Sequence, residues 1–146
     1  MLYYEDIQIG ESTVIGPYQL VEDEIIAFAK KWDPRPIHTD PVAAASAPVK
    51  GLIASSAHTF SICALLLCQM KPTAAIAATR HEVEMPNPAR PGDKLLLTVT
   101  YLEKRLSESK LDRGLVTIGS ALANQAGNVV LQTCSLILVL RQPLTN

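Results

Sequence analysis

Residues 51–70 read GLIASSAHTFSICALLLCQM. The stretch carries no Asp, Glu, Lys or Arg, and its length is that of a membrane span. Its first half is nevertheless rich in Ser, Thr and His, and no basic cluster flanks it to set an orientation in a bilayer. The strands that follow are amphipathic and need an apolar element to pack on. The stretch therefore reads as a core helix buried almost all round, and that choice decides the fold.

Working outward, the segments 79–86, 94–105, 114–124 and 128–140 are rich in Val, Leu, Ile and Thr. Turn chemistry separates them: PNPARPGD (86–93), SESKLDRG (107–114) and NQAGN (124–128). Alternation is legible but not clean in VTIGSALA (116–123) and QTCSLILVL (132–140), as for strands partly covered on both faces. Four strands joined by short turns predict an antiparallel meander. Towards the N-terminus, GPYQL (16–20) reads as a short strand. VEDEIIAFAKKW (21–32) then places Val21, Ile25, Phe28, Ala29 and Trp32 on one helical face, with acids in the first turn and lysines in the last. The DPRP that follows stops this helix, because a residue before proline is pushed out of the helical region. Asp40-Pro41 opens a second short helix, PVAAASA, with Asp40 at the N-cap and proline at the first helical position. The expectation is an α+β domain spanning 1–146, an antiparallel sheet with the buried helix on one face, free of repeats and linkers.

Composition narrows the partners. Thirteen basic residues against fourteen acidic ones, scattered along the chain, leave no basic face for nucleic acid. With 48% apolar and 18% charged residues the chain is a globular protein on the greasy side, which points towards an oligomer whose interface resembles a divided core. Cys63, Cys68 and Cys134 form no CxxC pair and no disulfide framework, and read as small buried hydrophobes in a reducing compartment. MLYYEDIQIG lacks a basic region followed by an apolar stretch, so no signal peptide is evident and the expected location is the cytoplasm.

The chemistry concentrates in DPRPIHTD (33–40). A carboxylate and an imidazole can jointly hold a water and shuttle its proton, work worth about 10²- to 10⁴-fold in rate. Were the five steps from Asp33 to His38 polyproline-like, the two Cα atoms would lie about 15 Å apart. A shared site therefore requires the prolines to turn the chain; otherwise His38 is an ordinary loop histidine. Asp40 already has a structural task as a cap. His38, His58 and His81 lack any short metal-ligand spacing, and no G-x-S-x-G elbow supports a serine nucleophile. His58, inside an apolar helix, reads as a hydrogen-bonded core residue. Gly51, taken as the beginning of the buried helix, is either a tight turn or a source of free backbone N–H groups in the positive field of the helix dipole.

The run D-P-x-P-x-H-x-D-P-x-x-A (33–44), followed by GLIAS-x-x-HT (51–59) and RPGDKL (90–95), resembles the MaoC-like dehydratases, hot-dog-fold proteins that include (R)-specific enoyl-CoA hydratases. The likeness extends from YYEDIQIGES (3–12) through EIIAFAKKWDP (24–34) to the last strand. It implies a sheet wrapped around a long central helix and a homodimer whose sheets join. By position it puts the family's catalytic aspartate on Asp33, its histidine on His38, the oxyanion-hole glycine on Gly51 through the backbone N–H, and an ordering hydroxyl on Thr59. The implied reaction adds water to a trans-2-enoyl-CoA, or removes it from a 3-hydroxyacyl-CoA, with the CoA thioester as substrate and no metal or redox cofactor. Departures sit at Lys50, Ser56 and Ala57, which flank the expected binding cavity, and at Val21, where relatives often have a capping Thr and where Glu22 or Asp23 could cap instead. Lys50, Arg80, Arg90 and Arg105 are candidates for the CoA tail. Two other activities remain open: a hot-dog thioesterase, disfavoured because 51–70 holds no acid, and a non-catalytic acyl-thioester-binding module or supporting dehydratase subunit.

Overall fold

The computed structural model describes residues 1–143. After a 3-10 turn at Tyr4–Asp6 the order is β1 (Ser12–Gln19), α1 (Glu22–Trp32), α2 (Pro36–Thr39), α3 (Pro41–Ser46), α4 (Ser56–Leu67), β2 (Ala75–Glu84), β3 (Lys94–Leu106), β4 (Arg113–Ala123) and β5 (Val129–Leu140). All five strands belong to one antiparallel sheet, in the order β1-β3-β4-β5-β2. The expected four-strand meander is thus only three strands long, β3-β4-β5. Strand β2 pairs with β5, so the chain must cross from one side of the sheet to the other between Glu84 and Lys94. Pairing order is a long-range property that turn residues do not encode.

Alternation works best where one face is fully covered. Along β3, Leu95, Leu97, Val99 and Tyr101 are buried while their neighbours are exposed or half-exposed. The first three pack in one core with Ile62, Cys63 and Leu66 of α4 and with Leu122, Val130 and Leu131 of β4 and β5. Each such side chain contributes about 1.5–3 kcal/mol by leaving water. Strand β1 begins at Ser12, earlier than the GPYQL reading, and its register on β3 slips between Ile15 and Tyr18. Gly16 sits at that slip with φ +115, and a Cβ there would come 2.8 Å from the Leu95 carbonyl oxygen. Only glycine fits.

Three helical expectations need correction. The central helix starts at Ser56, not near Gly51, because Ser55 takes the N-cap and its Oγ accepts the His58 N–H at 3.2 Å. Nor is it buried all round: His58, Thr59, Ile62, Cys63 and Leu66 are inside, but Ala57, Ser61, Ala64, Leu65 and Cys68 face outward. The buried face of α1 is narrower than its periodicity suggests. Ile25 and Ala29 are buried, whereas Val21 and Trp32 lie exposed at the ends, and the cap position, Val21, has no side-chain bond from Glu22, Asp23 or any other residue. Of the cysteines only Cys63 is buried, and burial pushes its thiol up to about 11. The Asp40 cap is as expected: its Oδ1 accepts from the N–H groups of Val42 and Ala43 at 2.9 and 3.1 Å.

Candidate active site

Asp33 ends α1, where its N–H still donates to the Ala29 carbonyl oxygen. Arg35 N–H then donates to Asp33 O at 2.8 Å, and His38 N–H to Arg35 O at 2.9 Å. With Pro36 at the first position of α2, its φ already set for a helix, the segment curls into a turn instead of extending. Asp33 Oδ2 consequently lies 3.5 Å from His38 Nε2. The two groups share one small volume.

His38 is 3% exposed, and the partner of its other nitrogen decides its tautomer. Nδ1 lies 2.7 Å from the Ile53 carbonyl oxygen, which can only accept, so Nδ1 carries the proton and Nε2 of the neutral ring presents a lone pair. Ile53 is held in turn: its N–H donates to Ile37 O, and Ala54 N–H donates to Ala89 O. The extended segment 52–55 thus fixes the imidazole against the loop that precedes β3.

Arg35 was not singled out in the sequence, and it joins both groups. Its Nε and Nη2 donate to Asp33 Oδ1 and Oδ2, each at 2.7 Å, and Nη2 also lies 3.3 Å from His38 Nε2. The guanidinium's hydrogen bonds, then its charge, hold the Asp33 carboxyl below the usual carboxylate range. A cavity of about 360 Å³ opens here, lined among others by Arg35, His38, Ile53, Ser56, Thr59 and Asn87.

The other expected site residues divide. Thr59 reaches the cavity wall, and its hydroxyl donates to Ser55 O at 3.2 Å. Gly51 does not stand at a helix N-terminus, and its N–H donates to Ala44 O at 2.9 Å, which engages the donor intended for an oxyanion. Its φ of +134 lies in the region that favours glycine, and a Cβ there would stand 3.2 Å from Arg90 Nη1. The helix end that does face the cavity is that of α4, where Ser55 has taken the N–H groups of His58 and Thr59 and those of Ser56 and Ala57 come first. Arg90 donates to the carbonyl oxygen of Val49, a cavity residue, at 2.6 Å; Arg80 is on β2, where it meets Glu82. Among the described residues no group of three or more His, Cys, Asp or Glu could hold a metal ion. No described helix is long and apolar enough to cross a membrane.

The MaoC-like domain matches residues 6–124, and the chain belongs to that family. A MaoC-like dehydratase from Rhodospirillum rubrum is 37% identical, with a TM-score of 0.93 over 99% of this chain and 100% of that one. A structure described as a monoamine oxidase regulatory protein from Archaeoglobus fulgius is 27% identical, with a TM-score of 0.84 over 97% and 96%. An (R)-hydratase from Pseudomonas aeruginosa, 20% identical, shares the fold with a TM-score of 0.80 over 99% and 92%. The architecture is the α+β hot-dog fold of these neighbours. Comparison with the curated proteins found no match.

Proposed function

We propose that the chain is a hydro-lyase that adds water across the C2=C3 bond of a trans-2-enoyl-CoA, and in reverse dehydrates a 3-hydroxyacyl-CoA. One observation carries this: two proton acceptors, Asp33 Oδ2 and His38 Nε2, lie 3.5 Å apart, and His38 lines the cavity next to them. A water there donates one hydrogen bond to each and gives up a single proton to the pair, keeping the other as the product hydroxyl. As its oxygen bonds to C3, the C2=C3 electrons move towards the thioester oxygen. The proton taken by the pair then returns to C2, so one water is consumed and nothing else is released. General acid–base work of this kind is worth about 10²- to 10⁴-fold.

The thioester oxygen needs donors while it carries negative charge. The N-terminal N–H groups of α4, at Ser56 and Ala57, suit it best, in the positive field of a helix long enough to have one. One such donor is worth about 10²- to 10³-fold. Gly51 joins them only if the 47–51 loop turns its N–H from Ala44. Thr59 keeps the first turn of α4 in place through Ser55. The chemistry calls on no metal or redox group.

We read the whole chain as one domain that works as a homodimer. Strand β2 is a sheet edge whose residues are all exposed, Ile76 and Val83 among them, and the outer side of α4 leaves Leu65 53% exposed. A second copy joined along β2 would cover Ile76 and Val83, and sheet edges left open invite such pairing. Mass in solution tests this; a monomer alone would refute it.

The deciding assay offers purified protein a panel of trans-2-enoyl-CoA esters and follows conjugated-thioester absorbance and free thiol together. Absorbance loss without thiol, abolished in Asp33→Asn, is the expected result. Thiol release would make the protein a thioesterase, and binding without turnover would make it a carrier module.

A further inference from the structure

The position of Arg35 has a consequence for which substrates the site accepts. Nη2 of Arg35 lies 2.7 Å from Asp33 Oδ2 and 3.3 Å from His38 Nε2, and those two acceptors are 3.5 Å from each other. A guanidinium only donates, so this one nitrogen offers its two N–H groups to the same lone pairs that a reacting water must use. Water and Nη2 cannot both be there. The Arg35 side chain is 63% exposed and stands at the cavity wall, and its side-chain hydrogen bonds among the described residues all go to Asp33 and His38. To leave them it needs another acceptor of similar strength. A guanidinium fork fits the two oxygens of a phosphate or carboxylate as well as it fits Asp33.

We propose that Arg35 is a latch that determines specificity: it closes the site in the free protein, and a productive thioester carries an oxyanion that takes the fork and frees Asp33 and His38 for water. The inference rests on the water-holding reading of that pair. The oxyanion belongs either to the phosphates of the carrier or to a carboxylate on the acyl chain. A thioester with neither enters the cavity but leaves the latch shut. Arg35 therefore costs activity on neutral substrates, the reverse of what a supporting residue would do.

Two measurements on the full chain test this. In the first, the ring nitrogens of His38 are followed by 15N NMR in protein labelled at histidine. The probes are butanoyl-CoA, butanoyl-pantetheine and succinyl-pantetheine, saturated esters that cannot be hydrated. The Nε2 resonance should move, with butanoyl-CoA or with succinyl-pantetheine, to its position in Arg35→Gln, and should not do so with butanoyl-pantetheine. Which of the two moves it tells phosphate from carboxylate. Movement with all three or with none overturns the latch. In the second, Arg35→Gln should hydrate but-2-enoyl-pantetheine about fivefold faster than wild type, the scale of an exposed ion pair. Its preference for the CoA ester over the pantetheine ester should fall by the same factor if phosphate is the key. Arg35→Lys, which keeps the charge and loses the fork, should fall between. Equal slowing on both esters would overturn the latch and leave the hydratase reading standing. The NMR exchange without turnover of any ester would overturn the hydratase reading and leave an anion-operated latch.

Discussion

The protein contains two carboxylate–imidazole pairs, and they are built for opposite ends. In one, Asp33 and His38 stand 3.5 Å apart with both facing lone pairs unshared between them. In the other, His58 Nε2 donates to Glu24 Oε1 at 3.1 Å, Tyr18 donates its hydroxyl to the same carboxylate, and the Phe28 ring stacks on the imidazole at 4.5 Å. One oxygen of the second pair's carboxylate, Glu24 Oε1, takes both donors. Burial, then Glu24, pushes the Tyr18 phenol up to about 12, so the hydroxyl keeps its proton and stays a donor. His58 Nδ1 is buried with no partner, which suits a lone pair turned towards apolar atoms. What separates a working pair from a structural one is therefore the direction of the donors. Where each group is satisfied by the other, the pair ties elements together: here β1, α1 and α4. Where the two groups face each other as acceptors and only the exposed Arg35 fork donates to them, the pair can hold a third molecule once that fork leaves.

That distinction breaks first on activity. Asp33→Asn and His38→Gln should each lower kcat/KM for hydration by about 10²- to 10⁴-fold while the thermal unfolding midpoint and thioester binding stay near wild type. Loss of folding with the activity would make Asp33 and His38 structural too. The second pair should behave in reverse. His58→Ala removes a buried hydrogen bond and the ring beneath Phe28, and should cost about 2–3 kcal/mol of stability by denaturant titration, with kcat/KM close to wild type. A large fall in kcat in a well-folded His58→Ala would make the two pairs functionally alike.

The same contrast marks the limits of the sequence as a guide. Local chemistry was readable: Asp40 before Pro41 caps α3, and the turn residues at 107–114 and 124–128 separate β3, β4 and β5. The Asp33–His38 turn was readable as a requirement, because two prolines in DPRPIH made an extended alternative geometrically useless for one site. Long-range pairings were not. Glu24 and His58 are 34 residues apart, and nothing in the α1 periodicity says that Phe28 covers a histidine. The start of α4 was hidden because Ser55 looks, in an uncharged run, like one more residue of the helix; a Ser three residues before a buried His was the signal for a cap. Arg35 is not legible as a site residue because it fills an unspecified place in the D-P-x-P-x-H pattern, and only the fold reveals that it faces both neighbours. Asp40 offers the smaller check on this local chemistry: Asp40→Ala should cost about 1 kcal/mol, without loss of turnover per folded molecule.

The subtlest expected effect is on pH dependence, and it separates the two pairs without removing either. Asp33 is depressed below the usual carboxylate range, chiefly by its hydrogen bonds from Arg35. A depressed carboxylate contributes stability above its unfolded value and loses it as pH falls through the folded value, so the Asp33–Arg35 contribution fades only in acid. The Asp33 step in the acid limb of kcat/KM reports the free enzyme, in which Arg35 holds Asp33, and should lie at low pH. The acid limb of kcat reports the bound enzyme, in which the latch has opened, and should lie higher. In Arg35→Gln the free-enzyme limb should rise to meet it, because the donor that favoured the ionised carboxyl has gone. No such movement is expected in Glu24→Gln, since that pair lies outside the water's reach. Coincident limbs in the wild type would mean that Arg35 stays on Asp33 throughout the cycle, and would return it to the role of a fixed support.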